Sequence, residues 1–555
     1  MNGLCTRVHT LLLVLVATTA CHGTGGSSSY FQRSPLQPEP NAALQALVEG
    51  NGLRAAAAAL QLTPAERTQL VDQTRRFYKV EHHQLIWSDG GRPSKRAVQL
   101  ATIVGTAEDN GLPAGLYPLP FETTGQTAIS AERAPELDVR ATLSFFRYFL
   151  HLSAGRLDPH VLEAQWTLKP EKPDLVGALT SAVDANNLTQ AVNALTPHAP
   201  QYVELQKALK KYRAIATKGG WPAIQLNTRL KPGSRSPDIA ALRARLAAEG
   251  DFSEARGNEQ GERAGVYDEA VVDALKRFEE RHRLKPDGLL DREAIAAMNV
   301  PVDERIKQIA LAMERWRWLP DQLPDRYLLV NVPDYRLDAI EGGKSVLTMR
   351  VVVGAPDKMT PIFADKMEYL IFSPYWNIPP DIAQNEMLPR ASRDPDYLTR
   401  NNMEVVDASG RVVDPSDADW SGDKGSLRIR QRPGDGNALG GVKFVFPNNF
   451  NVYLHDTNAA TLFDRLERGL SHGCVRVEEP ARLAEYVLRD QPEWTAARIQ
   501  EAMQAGQEQR VNLKAPIPVY ILYMTAWVHE GGVRFLKDIY GHDAEQEAKL
   551  WADSN

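Results

Sequence analysis

Ser471-His472-Gly473-Cys474-Val475-Arg476-Val477 decides how this 555-residue chain is read, because the other two cysteines, Cys5 and Cys21, lie at its very beginning. As an extended strand, the stretch would place His472, Cys474 and Arg476 on one face and Val475 and Val477 on an apolar other face. Upstream, Asn451-Val452-Tyr453-Leu454-His455-Asp456 alternates in the same way. Its period predicts buried Val452 and Leu454, with Tyr453 and His455 turned the other way. Two such strands bring an imidazole to a thiol. A thiol near pKa ~8.5 is mostly protonated at neutral pH, and a neighbouring imidazole or guanidinium lowers it to roughly 3.5–7.5. A thiolate at Cys474 is therefore expected. Arg476 offers bidentate binding of a substrate carboxylate, and the pattern fits cysteine acyl transfer.

These motifs resemble the L,D-transpeptidases of peptidoglycan, whose signature is the pair Tyr453-Leu454-His455-Asp456-Thr457 and Ser471-His472-Gly473-Cys474-Val475-Arg476-Val477. His455-Asp456, in place of the commoner His-Gly, is similar to the large periplasmic subgroup. Asn437-Ala438-Leu439-Gly440-Gly441-Val442-Lys443-Phe444 and Ser373-Pro374-Tyr375-Trp376-Asn377-Ile378-Pro379 also look like family segments. The resemblance implies a nucleophilic Cys474 and a general base and acid at His455. It implies attack on the amide after the diaminopimelate of a tetrapeptide stem, release of terminal D-Ala, and acyl transfer to an amine, giving a 3→3 cross-link. Gly473, Ser471 and His472 would form the loop and oxyanion site, and Arg476, Tyr453, Trp376 and Asn377 would meet substrate. His472 aligns with a position that varies in the subgroup. The resemblance also implies carbapenem sensitivity.

Several alternatives stand beside this reading. The acceptor can be another stem's amine, a lipoprotein lysine, or water, the last making the protein an L,D-carboxypeptidase. A sortase is a rival enzyme, and a non-catalytic peptidoglycan-binding protein is a rival of another class. A Cys-His-Asp triad through Asp456 is disfavoured, since adjacent residues of a strand point to opposite faces. In the family a backbone carbonyl usually orients the imidazole. Zinc held by His455, His472 and Cys474 would need further ligands, so neither metal nor cofactor is expected.

Formal charge is -6, from 64 basic and 70 acidic residues, and this offers no basic excess for nucleic acid. Residues 1–20 carry Arg7, the apolar run 11–17 and small residues before Cys21, which reads as an export signal. The run is shorter than the ~20 residues that span a bilayer. Thr18-Thr19-Ala20-Cys21 resembles a lipoprotein box, so the expectation is a periplasmic protein, either lipid-anchored at Cys21 or cleaved nearby. Membrane contact would come only through that lipid.

The expected architecture is multidomain α+β. A flexible tether occupies residues 21–41, and a helical scaffold domain 42–225, with apolar helices around Leu44, Leu47, Leu60 and 141–150. His82, His83 and His151 lack the neighbours a metal site needs. Residues 226–300 read as three short helices, the first capped by Asp238. The spacing Val271, Ala274, Leu275, Phe278, His282, Asp287-Gly288 resembles a peptidoglycan-binding domain, with an inert spacer as the alternative. Residues 301–324 form a connecting helix. Residues 325–540 form a β-rich catalytic domain, with strands at 327–332, 345–353, 367–372 and 519–524. The family resemblance implies an inserted lid at about 381–436, containing Arg428, Arg430 and Arg432; a solvated loop is the alternative. A polar, helical tail covers 541–555.

Overall fold

A computed structural model describes residues 41–551 apart from 61, 122–127, 160–171, 222, 226–229, 253–263, 395 and 415–426. The expected signal, most of the tether, Cys21, Pro395, Pro415-Ser416 and the last residues of the tail lie outside the described residues.

The N-terminal region is helical: α1 (Ala42–Glu49), α2 (Gly52–Ala58), α3 (Pro64–Val80), α4 (Lys95–Gly105), α5 (Ala134–Ala154), α6 (Leu175–Asp184), α7 (Thr189–Leu195) and α8 (Pro200–Thr217). A two-residue hairpin, β1 (Ser88–Asp89) with β2 (Arg92–Pro93), precedes α4. α3 starts on a capping box, in which the Thr63 hydroxyl and the Glu66 carboxylate each accept from the other's backbone N–H. α5 is buried almost all round, as its continuous apolar run 141–150 requires. Its Arg147 donates to the carbonyls of Leu60 and Leu116, and His151 is held by Tyr117 and Glu66. That engagement leaves His151 in a structural role.

Three helices follow: α9 (Asp238–Glu249), α10 (Glu269–Arg281) and α11 (Arg292–Met298), closed over Leu242, Leu246, Leu275 and Phe278. Asp268 and Asp291 cap the second and third. Asp238 does not cap the first, contrary to expectation. It is the first helical residue, behind Pro237, and accepts from the Ser236 hydroxyl. Proline can begin a helix because the first N–H has no intrahelical partner to lose.

Charged groups dock this small body onto its neighbours. Glu249 accepts from Tyr212 of α8 at 2.7 Å and pairs with Arg245 at 2.6 Å, and both members of the pair are fully buried. Arg281 binds Asp251 and donates to the carbonyl of Val533, and Arg283 donates to the carbonyl of Asp334.

α12 (Val302–Trp316) leads into the β region with Ile309, Met313 and Trp316 buried. Strands β3 (Arg326–Asn331), β4 (Arg336–Glu341), β5 (Lys344–Gly354), β6 (Phe363–Phe372), β11 (Val442–Val445), β12 (Leu454–His455), β13 (Gly469–Ser471), β14 (Val475–Val477) and β15 (Gln509–Leu522) make one sheet. Its order is β13-β5-β14-β12-β11-β6-β15-β3-β4, and β4 also pairs with β5. Eight strands therefore close on themselves, with β13 as a short branch. Gly342 and Gly343 turn β4 into β5, both with positive φ, as a two-residue hairpin of primed type needs. Helices α13 (Pro480–Leu488) and α14 (Ala496–Gln504), and the hairpin β16 (Ala526–His529) with β17 (Gly532–Phe535), complete the region. The barrel core includes Tyr202, Leu205, Leu209 and Tyr212 of α8, so that helix packs with the β region as well as following the helical one.

The expected helical tail and inserted segment both carry buried structure. The 541–555 tail contains α15 (His542–Leu550), whose Asp543 pairs with buried Arg315 at 2.7 Å and whose Gln546 accepts from Arg315 at 2.9 Å. Its polar residues face buried partners. The inserted segment is also more than a loop. β7 (Trp376–Asn377), β8 (Met403–Asp407), β9 (Val412–Val413) and β10 (Leu427–Gln431) form a separate sheet in the order β7-β10-β8-β9, over a core of Ile378, Ile382, Leu398, Val405 and Ile429. Arg430 and Arg432 both pair with Glu404 across it. The insert begins at Trp376, ahead of the expected boundary.

Candidate active site

A cleft of about 690 Å³ lies between the barrel and the insert. Cys474, His455, Tyr453, Arg476, His472 and Ser471 line it from the barrel, and Trp376, Asn377 and Arg428 from the insert. Gly473 is buried behind its turn.

The Cys474 stretch is not one strand. β13 runs parallel to β5 and β14 antiparallel to it, so the chain reverses at residues 472–474. Gly473 makes this bend with φ +109°, where a side chain would be strained. The Ser471 hydroxyl ties the turn: it donates to the Cys474 carbonyl at 2.5 Å and accepts from the Gly473 N–H at 3.1 Å. Thr360 also donates to the Gly473 carbonyl. The Gly473 N–H is thus already engaged, and the role expected for it at an oxyanion is not supported by its geometry.

His472 shares the cleft with Cys474 and Arg476, as the alternation predicts, and also reaches the insert. Its Nε2 meets Glu386 of the insert at 2.6 Å, and Lys358 reaches the same carboxylate oxygen at 3.2 Å. His472 thereby joins the barrel to the insert. The bond from His472 holds the Glu386 carboxyl below its usual range.

Pairing between strands sets the rest. β12 lies between β11 and β14, with His455 opposite Lys443 on one side and Arg476 on the other. Partners in register point to the same face, so Lys443, His455 and Arg476 form a row across the sheet. The Lys443 ammonium sits 3.7 Å from the Tyr453 ring centroid, and that ring lies 5.6 Å from the His455 ring. Cys474 occupies the adjacent position along β14, with its Sγ donating to the Asn451 carbonyl at 3.7 Å.

His455 Nδ1 meets the backbone carbonyl of Asp456 at 2.5 Å. A donating Nδ1–H leaves Nε2 as the basic nitrogen. The Asp456 carboxylate turns away, accepting from the N–H groups of Gly441 and Thr457 at 2.7 Å each. Burial raises its pKa against those two bonds. Gly440, with φ +59°, makes room for it, since a Cβ there would lie 2.3 Å from the carboxylate.

The electrostatics reverse the expectation of a resting thiolate. Burial, then Arg476 and Lys443, lower His455 to about 3, against the bond to Asp456. Burial pushes the Cys474 thiol up, while Tyr453, Lys443 and Arg476 pull it down less strongly. Both groups are neutral at pH 7. Arg476 is itself lowered by burial, and its Nε is buried without a hydrogen-bond partner. Such a guanidinium is suited to receive an anion from the cleft.

Trp376 packs against the insert's own core while lining the cleft, and Asn377 pairs with Arg430 in the insert sheet. Lys443, Asn451, Glu386 and Arg428 were missed as site residues. Lys443 stands inside the Leu439-Gly440-Gly441-Val442-Lys443 segment, whose register beside His455 was the available signal.

The cleft thus holds a cysteine at a strand-opening turn and a carbonyl-oriented histidine on the adjacent strand. Residues 325–514 match the model of the "L,D-transpeptidase catalytic domain", residues 72–209 that of the "Scaffold domain", and residues 235–298 that of the "Putative peptidoglycan binding domain". The chain carries these three domains, and its β region is the part that matches the L,D-transpeptidase catalytic model. A Haemophilus influenzae protein named "Putative L,D-transpeptidase" is 36% identical over 241 residues, 43% of this chain and 48% of that protein. The chain spans about half the length of that curated relative. A solved L,D-transpeptidase from Xylanimonas cellulosilytica is 14% identical, covering 54% of this chain and 99% of that one, with a TM-score of 0.17. L,D-transpeptidase 1 of Mycobacterium tuberculosis is 11% identical, covering 36% and 61%, with a TM-score of 0.15. Superpositions this loose carry no argument about the chain. Among the described residues no helix is long and apolar enough to cross a membrane.

Proposed function

We propose that the chain is a peptidoglycan L,D-transpeptidase of the cell envelope that forms 3→3 cross-links through an acyl-enzyme on Cys474. The observation that carries this is the placement of Cys474 and His455 together in the cleft, with the imidazole oriented by Asp456 O. As the Sγ–C bond forms at the stem carbonyl, the thiol proton passes to His455 Nε2. The C–N bond to D-Ala then breaks, and the imidazolium returns the proton to the departing amine. A neutral acceptor amine gives a proton to Nε2, attacks the thioester and releases the thiol. An imidazolium crowded by two cations is a strong acid, which suits protonation of a poor leaving group. The Cys474 N–H is the amide available at the turn for the oxyanion, and Arg476 takes a stem carboxylate, with Tyr453, Trp376 and Asn377 shaping the cleft.

In this reading residues 226–300 grip the wall, 42–225 and 301–324 support the catalytic part at 325–540, and 376–436 roofs the cleft. Residues 1–20 direct export, ending either in a lipid anchor on Cys21 or in cleavage nearby to a free periplasmic protein.

The test is mass spectrometry of tetrapeptide muropeptides incubated with the wild type and Cys474→Ala. A Cys474-dependent 3→3 dimer is expected. Tripeptide alone would assign water as acceptor, and product from Cys474→Ala would overturn the nucleophile. Binding of insoluble sacculi separates a wall-binding segment from an inert one.

A further inference from the structure

In the row Lys443-His455-Arg476, the acyl-transfer scheme uses Lys443 only as a charge acting on the imidazole and gives it no part at the thiol. Lys443 leaves the barrel core, since Val442 and Phe444 are fully buried while Lys443 faces the cleft. An ammonium in a half-buried cleft loses hydration, and an ion pair usually compensates. Among the described residues the Lys443 ammonium makes no ion pair or hydrogen bond, although its backbone lies in the β11 ladder. Its short contact is the face of the Tyr453 ring, at 3.7 Å. A cation over an aromatic face is held in place while its charge remains uncancelled. Tyr453 is bonded to the Cys474 turn, its carbonyl accepting from the Val475 N–H at 3.1 Å. The ring therefore holds the ammonium over the strand position next to the thiol.

We propose that Lys443 is a positioning residue for Cys474: fixed beside His455 by strand register and over Tyr453 by its ring, its ammonium supplies positive charge that favours the thiolate and opposes an imidazolium. Neighbouring strands lie about 4.8 Å apart, so an unpaired charge one strand from His455 and lodged on Tyr453 acts over a few ångströms of screened protein. The same charge favours the anionic tetrahedral intermediate. Lys443 and Arg476 thus bracket the imidazole and share this work from opposite sides. Other charged or titratable groups on the cleft are Arg428, Asp381 and Glu386 of the insert and His472 of the turn. Glu386 is engaged by His472 and Lys358, and Glu508 acts on Lys443 from the start of β15.

The inference rests on Cys474 as nucleophile, and its test does not require turnover. The second-order rate of Cys474 alkylation by iodoacetamide is measured from pH 5 to 10 on the full chain, for the wild type, Lys443→Met and Lys443→Arg. Lys443→Met is expected to move the profile up by about one pH unit, a roughly tenfold slower reaction at pH 7.5. Lys443→Arg should restore most of it, and circular dichroism and melting should match the wild type. A packing role would leave the profile in place and lower the melting temperature. A wild-type profile in folded Lys443→Met overturns the proposal. Should that variant not fold, Lys443→Gln is carried through the same profile, and an unshifted curve there is equally decisive. A shifted profile in a protein that leaves muropeptides untouched would sustain Lys443's role while removing the transpeptidase reading.

Discussion

Glu249→Gln tests the buried charge network of the three-helix body at its junction with α8. The Glu249 side chain is fully buried, pairs with fully buried Arg245 at 2.6 Å and Arg281 at 3.6 Å, and accepts from Tyr212 at 2.7 Å. Glutamine keeps the shape and the bond to Tyr212 but removes the charge. Arg281 retains Asp251, whereas Arg245 keeps the Met298 carbonyl and the faces of Trp221, 3.9 Å away, and Phe278, 5.7 Å away, but no carboxylate at 2.6 Å. An uncompensated buried cation costs about 3–5 kcal/mol. Replacing both, as Glu249→Gln with Arg245→Met, should recover most of that, because neither charge is then stranded. The assay is urea unfolding at pH 7.5, followed by limited proteolysis of the three-helix body. Burial raises the Glu249 pKa, but Arg245 and Arg281 outweigh it and depress the net value. The contribution is therefore present above the unfolded carboxylate pKa of about 4.3 and is lost as pH falls below it. A single variant within about 1 kcal/mol of wild type, or a double variant no better than the single, would refute the reasoning.

Wild-type Cys474 should show no low-pH thiolate: its alkylation rate should climb about tenfold per pH unit from 6 to 8, and a plateau with its midpoint below pH 6 would contradict a neutral pair. Asp456→Asn should cost about 1–3 kcal/mol in thermal stability through weakened bonds to Gly441 and Thr457. Acylation should fall far less than in His455→Ala, and equal losses would restore the triad. Glu386→Gln removes the charged partner of His472 and Lys358. It should raise the rate at which a bulky thiol reagent labels Cys474 at pH 7.5 by a few fold with little change in melting, and an unchanged rate would show that this contact does not hold the insert down.

What the sequence made legible depended on how local each signal was. Alternation around Val452 and Leu454 predicts their burial, and the structure places Tyr453 and His455 on the cleft as expected. The same period holds at 471–477, with Val475 and Val477 buried and His472, Cys474 and Arg476 on the cleft, but it did not reveal the reversal at Gly473, because a glycine in an alternating pattern is as compatible with a strand as with a turn. The neutrality of Cys474 and His455 was hidden for a different reason. A thiol's pKa reflects burial as much as neighbours, and burial depends on strands distant in sequence. The insert's polar composition concealed an ordered sheet, since its small core is assembled from Ile378, Ile382, Leu398, Val405 and Ile429, spread over some fifty residues. Lys443 needed the pairing of β11 with β12 before its place beside His455 could be seen.

The docking of the three-helix body has a mechanical consequence. Arg281 and Arg283 fasten it to the barrel through the carbonyls of Val533 and Asp334, and Glu249 fastens it to α8. These bonds oppose rotation of the body against the barrel. On the proposed function, the span between the gripped glycan and Cys474 is then a built-in gauge: the protein would select stems by their offset from its point of hold, and loosening the grip would widen that choice without altering the chemistry.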